Sequence, residues 1–330
     1  MKLSHLGEFG LIQRIQRTLP VGRGVRVGIG DDAAWVENPG GSSLVTADLL
    51  IEGVHFDLKW TSLFELGYKS LAVNLSDIAA MGGVAAYAIL SLGIPINFDS
   101  SGIDQFYRGI NAMARPNGVA VVGGDTNMAD LLIISVCVIG HAPYRPVRRS
   151  GARVGDDIYV TGTLGDSALG LKILRQRKSQ LKRKDAAQLI GRHHRPTPRL
   201  TAGALLAKYR LATAMIDVSD GLMQDLTHLC RASGTGAVVW QDHLPLSPAY
   251  RAFAGKDGYL HALSGGEDYE LLFCARRKNR ARVNELRSRA RVAITCIGTC
   301  VTANRGVVAV DNCEKPVAIP LTGHDHFKNV

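Results

Sequence analysis

Asp recurs where an apolar strand or helix meets glycine or a polar turn. Asp31 and Asp32 lie in GIGDDA, Asp48 ends LVTAD, and Asp77 lies inside LAVNLSDIAAMGG. Asp125 follows two glycines in GGDT, and Asp217 and Asp220 share IDVSDGL. Taken singly, each reads as a turn residue or a helix cap. Taken together, they are hard oxygen donors on backbone that glycine lets turn sharply and come close to a ligand. If they converge, carboxylates about 4 Å apart repel by roughly 4 kcal/mol per pair in a partly screened site. Divalent cations relieve that repulsion, and oxygen ligands select Mg²⁺, whose remaining positions go to water and substrate phosphate. The chemistry implied is phosphoryl transfer, where a protein mainly positions groups and neutralises charge.

The common nucleotide frameworks are missing. There is no G-x-x-x-x-G-K-[ST] loop and no H-R-D with D-F-G. GIGDDA fits the loose dinucleotide fingerprint G-x-G-x-x-A, but its two adjacent carboxylates would repel a pyrophosphate unless metal ions intervened. A nucleotide would therefore be held through metals.

Alternating helices and strands must carry these residues. Ser62 and Glu65 form a capping box for a helix with Leu63, Leu66, Leu71, Leu75 and Ile78 at a 3.6-residue period and Gly82 as its left-handed stop. Asn74 and Asp77 share one face of that helix. The face either meets water or is buried, and burial demands a cation or a hydrogen-bond network around the carboxylate. Ahead of it, GEFGLIQRIQRTLP predicts a helix with Leu11, Ile12 and Ile15 inward, stopped by Pro20. GVRVGIGDDAAWV and LVTAD predict strands, and the polar run Glu52, Gly53, Val54, His55 follows. Residues 84–94 predict a buried strand and 100–115 an amphipathic helix with Ile103, Phe106, Tyr107, Ile110 and Met113 on one face. A short strand at 119–122 is expected to break at Gly123 and Gly124, and 131–140 predict another. The Pro-, Gly- and Arg-bearing segment 141–157 marks a boundary, giving domains 1–143 and 144–330. The second half repeats the alternation, with strands at 158–161, 214–218, 237–240 and 269–275 and near Ile294 and Val307. Helices are predicted from Gly165, over 185–210, from Gly221 and over 279–289. The fold class is α/β of the α+β type, in two mixed domains.

A length of 330 residues suits two domains, and 46% apolar with 21% charged residues describes an ordinary globular chain. No apolar run reaches a membrane span, and the first residues lack a secretory pattern, so a cytoplasmic protein is expected. The six cysteines form no C-x-x-C pair and sit mostly in apolar surroundings, which predicts reduced, buried thiols. The net charge of +10 is concentrated in 175–199 and 276–291. Aromatics are 6% and do not interleave with these runs, so a solvated basic helix face is expected rather than nucleic-acid binding.

GEFGLI, GIGDDAA, EGVHF, LAVNLSDIAAMGG, GGDT, RSGARVGD, YVTGTLGDSALGL, IDVSDGL and SGGEDYELLF occur in order over roughly residues 7–273. As a set they resemble the thiamine-monophosphate kinase family. Its wider superfamily includes aminoimidazole ribonucleotide synthetase, selenophosphate synthetase and a hydrogenase-maturation protein, and EGVHF and SGGEDYE look like the kinase. The alternative is another ATP-dependent member of that superfamily with a different small substrate.

The resemblance implies that Asp32, Thr46, Asp48, Asp77, Asp125, Asp217 and Asp220 gather several Mg²⁺ ions around the phosphates of ATP. It assigns Gly124, Arg149 and Ser219 to ATP, and His55, Glu267 and Leu321 to thiamine monophosphate. It further implies a homodimer whose N-terminal sheets join in a barrel, ATP in a cleft between domains, and neither nucleic-acid nor membrane partners. The acceptor is itself a phosphate, largely dianionic near neutral pH, so in-line attack on the γ-phosphoryl needs no general base. Two positions depart from the family pattern. Ala47 stands where a hydroxyl residue is common, and PLTGHDHF has Leu321 and His324 where an aromatic residue and Tyr are expected.

Overall fold

The structure, a computed structural model, describes residues 3–18, 24–38, 41–176, 184–255 and 258–318. Pro20, Leu321 and His324 lie outside them. The chain opens with α1 (Leu3–Thr18), β1 (Val25–Val27), β2 (Ala34–Asn38) and β3 (Gly41–Ile51). Then follow α2 (Leu63–Ala80), β4 (Val84–Ile94), α3 (Ser100–Ala114), β5 (Ala120–Met128) and β6 (Ile133–His141). These strands form one sheet in the order β1-β2-β3-β6-β4-β5, antiparallel except for β4 beside β5.

A second sheet starts with β7 (Asp157–Thr161), followed by α4 (Asp166–Gln176), α5 (Lys184–His194), α6 (Leu200–Lys208), β8 (Ala212–Asp217), α7 (Leu222–Ser233) and β9 (Thr235–Trp240). It is completed by α8 (Pro248–Ala254), α9 (Leu260–Ser264), β10 (Leu271–Ala275), α10 (Arg280–Ala290), β11 (Ile294–Thr302) and β12 (Val307–Val310). Its order is β12-β9-β11-β7-β10-β8. No helix among the described residues is long and apolar enough to cross a membrane.

The two sheets are packed differently. In the second, Ile158, Val160, Leu272 and Cys274 enter one core while Tyr159, Leu271 and Phe273 enter another, so helices cover both faces. In the first, among the described residues, α2 and α3 cover one face and leave the other exposed. β4 is therefore not buried throughout, as its apolar run suggests. It alternates, with Ala88, Leu90 and Leu92 inside and Tyr87 and Ile89 exposed beside Leu49 of β3 on the bare face. β5 also differs from expectation by running through both glycines. A Cβ on Gly124 would meet the Leu90 carbonyl oxygen at 1.7 Å, so glycine is what lets β5 lie against β4. Ile15 on α1 is exposed rather than inward, and α8 and α9 were not anticipated.

α2 is the structural centre. The expected capping box is present, with Ser62 Oγ accepting from the Glu65 N–H and the Glu65 carboxylate from the Ser62 N–H, and Gly82 takes φ +70°. The helix is buried almost all round, including Lys69, Ser70, Asn74 and Ser76, so its polar stripe does not face water. Its N-terminal half meets α3 through paired glycines: a Cβ on Gly67 would lie 2.0 Å from the Phe106 oxygen, and one on Gly109 1.9 Å from the Phe64 oxygen. Its C-terminal end enters the other domain, where Ala79 and Ala80 pack with Ala202, Leu206 and Ala207 of α6.

Gly67→Ala should therefore force α2 and α3 apart and cost about 1–3 kcal/mol in urea denaturation. Gly191→Ala, within α5 with no described atom within 4 Å of its added Cβ, should instead be neutral or stabilise by up to about 1 kcal/mol.

Candidate functional site

α2 brings the predicted carboxylates together where the two sheets meet. Asp77 accepts a hydrogen bond from Thr46 Oγ1 of β3 at 2.6 Å. One turn earlier, Asn74 Oδ1 accepts from the Asp48 backbone N–H at 3.1 Å while its own amide donates to the Ser70 carbonyl. Ser76 donates to Asp217 at the end of β8, at 2.6 Å across 141 residues of sequence. Successive polar residues of one helix thus fasten β3 on one side and β8 on the other. Asp32, in the turn between β1 and β2, completes the group: oxygens of Asp32, Asp77 and Asp217 all lie within 4.8 Å of one another.

Little opposes this negative charge. Arg149, from the segment between the sheets, donates from Nη2 to Asp32 Oδ1 at 2.9 Å and from its backbone N–H to Asp31. The other oxygen of Asp32 is buried with no hydrogen-bond partner among the described residues. Burial raises the Asp217 carboxyl to about 7, with Asp32 and Asp48 adding to it against the Ser76 bond. Burial also raises Asp48 to about 6, and burial together with the Asp32 charge raises Asp31 to about 6. Asp77 is pushed well above the usual range by burial and by Asp48, Asp217 and Asp32. Closely spaced carboxylates, an orphan oxygen and a hydroxyl form a set of hard donors that fits a divalent cation.

The turn after β8 holds Ser219 and Asp220. It is shaped by Asp225, which the sequence reading did not single out. One buried Asp225 oxygen accepts the N–H groups of Ser219, Asp220 and Gly221 at 3.0–3.1 Å. Asp220 accepts from the Gln224 side chain and lies outside the trio. Tyr269 is a second unforeseen member. Although it precedes β10, it packs into the first domain's core, where the charges of Glu267, Asp48, Asp217 and Asp77 reinforce the effect of burial and push its phenol well up.

Other predicted residues stand apart. Asp125 shares a row with Ser91, Ser135 and Leu49, on the bare face of the first sheet. Three strand spacings, roughly 14 Å, separate it from β3, and its carboxylate binds the Thr126 N–H and the Asn127 amide. His55 follows β3 and accepts the Ile51 N–H at Nδ1. A cavity of about 390 Å³ opens on the same loop, lined by Glu52, Gly53, Asp57, Leu58 and Lys59. Glu267 faces Lys69 and His193.

The basic run at 175–199 is not simply a solvated face. Arg192 and Arg199 pair with the fully buried Glu270, and His193 and His194 are buried. Arg280 of the second run pairs with buried Asp157. The thiols Cys230, Cys274 and Cys300 are buried and free, while Cys313 is exposed.

A carboxyl group with a raised folded-state pKa binds its proton more tightly folded than unfolded. Stability is then lost as pH rises from the unfolded value of about 4 through the folded one. Free of divalent cations, the protein should melt at lower temperature at about pH 8 than at about pH 5, and Asp77→Asn should flatten that slope. A flat or rising wild-type profile in differential scanning calorimetry would contradict this charge arrangement.

Two family descriptions match consecutive parts of the chain: AIR synthase related protein, N-terminal domain, over residues 30–142, and AIR synthase related protein, C-terminal domain, over residues 153–311. Thiamine-monophosphate kinase of Salmonella typhimurium is 41% identical over 325 residues, 97% of this chain and 98% of that protein. The solved structure of AaThiL complexed with AMPPCP and TMP superposes with a TM-score of 0.87 at 36% identity, covering 99% of both chains. That of thiamine-monophosphate kinase from Stenotrophomonas maltophilia gives 0.77 at 39%, covering 92% of this chain and 96% of the other. With this identity along nearly the whole chain and both domain matches, the protein belongs to the thiamine-monophosphate kinases of the AIR synthase-related family.

Proposed function

We propose that the protein transfers the γ-phosphoryl group of ATP to the phosphate of thiamine monophosphate, forming thiamine diphosphate and ADP. The observation that carries this reading is the Asp32, Asp77 and Asp217 cluster, built from both sheets in a chain so similar to one solved with AMPPCP and TMP. Asp32, Thr46, Asp48, Asp77 and Asp217 would hold Mg²⁺, with Asp220 beside them. Mg²⁺ supplies charge neutralisation, offsetting the repulsion between two phosphate-bearing substrates.

The protein's own groups bind and orient. Arg149 and Ser219 border the cluster and would contact ATP, while Gly124, next to Asp125 on β5, would offer backbone to the ATP of the other subunit. His55 would donate from Nε2 to the substrate phosphate, and Glu267 would face the thiazolium. An oxygen of the thiamine phosphate forms the new bond to the γ-phosphorus as the bond to the β-phosphate oxygen breaks, and ADP leaves with that electron pair. The attacking phosphate has a second pKa of about 6, so no side chain need remove a proton. Leu321 remains a substrate-contact assignment outside the described residues.

We also propose that the enzyme is a cytoplasmic homodimer with domains 1–143 and 144–330. An apolar sheet face bearing Leu49, Tyr87 and Ile89 in one copy suits a second copy of the same sheet. Because Asp125 points to that face, it would serve the site of the other subunit. The internal pairing of Arg192, Arg199 and Arg280 weakens the nucleic-acid alternative.

With ATP, Mg²⁺ and thiamine monophosphate, purified protein should form ADP and thiamine diphosphate in equal amounts, and chelation should abolish both. ADP formed without thiamine diphosphate would point to another acceptor. Asp77→Asn should lower turnover on the order of 10²–10³-fold while leaving the fold intact. Mixing inactive Asp77→Asn and Asp125→Asn subunits should restore part of the activity, since one of the two sites in a mixed dimer would keep both carboxylates. No restoration despite subunit exchange would place Asp125 in its own subunit's site.

A further inference from the structure

Lys69 is a buried ammonium inside the most buried helix of the protein, where an unpaired charge would be very costly. Its Nζ lies 2.7 Å from Glu267 Oε1, and His193 Nδ1 lies 3.2 Å from Glu267 Oε2. These side chains come from α2 in the first domain, α5 in the second, and the loop before β10. Lys69 and His193 are only 4% and 5% exposed at their side chains, whereas Glu267 is 29% exposed. Each oxygen of the carboxylate is thus held by a buried nitrogen while the side chain stays partly exposed.

The backbone at Glu267 is held as tightly as its side chain. Glu267 has φ +65°, a left-handed conformation that a non-glycine residue adopts at a cost, and its N–H donates to the Ser219 carbonyl at 2.7 Å. A Cβ on Gly266 would lie 2.4 Å from that same oxygen, so the loop is pressed against the turn following Asp217. Asp268 anchors the next position by accepting the Gly165 and Ser167 N–H groups.

We propose that Lys69 and His193 are positioning residues that hold the Glu267 carboxylate toward the cleft to receive the cationic ring of the acceptor substrate. The proposal rests on the substrate reading above and extends it to residues that do not touch the substrate. His193 can donate to Glu267 only with a proton on Nδ1, a nitrogen that also lies 3.1 Å from Ser167 Oγ. Burial and the Lys69 charge lower its pKa against the pull of Glu267, so the ring is neutral at physiological pH and Lys69 supplies the positive charge. The neighbouring ionisable groups are held by partners of their own: His194 by Glu65 of α2, Arg192 by Glu270, and the buried Asp268 by the Gly165 and Ser167 N–H groups. Removing the Lys69 charge should let His193 protonate more readily and partly replace it at low pH.

The test compares wild type, Lys69→Met and Lys69→Arg in the Mg²⁺-loaded enzyme from about pH 6 to 9. At about pH 8, Lys69→Met should raise KM for thiamine monophosphate about tenfold, leave KM for ATP within about twofold, and change kcat little. The defect should shrink toward about pH 6, and Lys69→Arg should recover most of it. Equal changes in both KM values, a loss confined to kcat, or a defect independent of pH would overturn the proposal. Should Lys69→Met fail to fold, wild type decides: the His193 imidazole NMR signal should shift when thiamine monophosphate is added. An unmoved signal at saturation, with binding established by calorimetry, overturns the proposal alone. Neither binding nor turnover would overturn the substrate reading and this proposal with it.

Discussion

Mutual repulsion among closely set, buried and half-buried carboxylates governs this protein. Asp31, Asp32, Asp48, Asp77 and Asp217 come from three places in one domain and one in the other, and Arg149 is the guanidinium paired with them. Such a group is unfavourable in a low-dielectric interior. It exists because the surrounding fold holds it firmly. α2 is buried on nearly every side, is fixed to α3 by backbone contact at two glycines, and is fixed to α6 at its other end. Thr46, Asn74 and Ser76 then use short polar bonds to set the carboxylates against one another. Packing energy spread over two cores sustains a local charge conflict that a cation would relieve.

The second sheet supports the same centre from behind. Its strands are covered on both faces, which makes β8 a rigid arm for Asp217. The loop before β10 directs four consecutive side chains in different directions. Glu267 reaches Lys69 and His193, Asp268 the start of α4, Tyr269 the first domain's core, and Glu270 the pair Arg192 and Arg199. Positive φ at Glu267 and Tyr269 is the conformational cost of that arrangement. The loop thereby joins the domains at the edge of the carboxylate cluster.

Local signals made much of this legible in the sequence. The Ser62–Glu65 box, the helical period after it and Gly82 locate α2 within a residue or two, and Asp beside glycine marks the turns that meet the cluster. What the sequence could not show is which partners come from a distance. Ser76 meets Asp217 across 141 residues, and Lys69, His193 and Asp225 look ordinary until the fold pairs them. Arg192 and Arg199 read as surface charge because the buried Glu270 that pairs with them lies more than 70 positions away. Tyr87 and Ile89 read as core because nothing local reveals that one sheet face lacks covering helices. Asp125 carries the right residue type but lies on the wrong face of its own sheet for the cluster in the same chain.

The central claim is that these carboxylates form one repelling unit that a divalent cation discharges. Isothermal titration calorimetry of Mg²⁺ into the nucleotide-free protein, repeated in buffers of different ionisation enthalpy, measures this directly. At about pH 6.5, binding should release protons, because metal displaces them from carboxyls raised to about 6 and about 7, and the release should be smaller at about pH 9. Asp217→Asn should reduce it. Binding with no proton release at either pH would mean that the carboxylates are already ionised and independent, and would contradict the account.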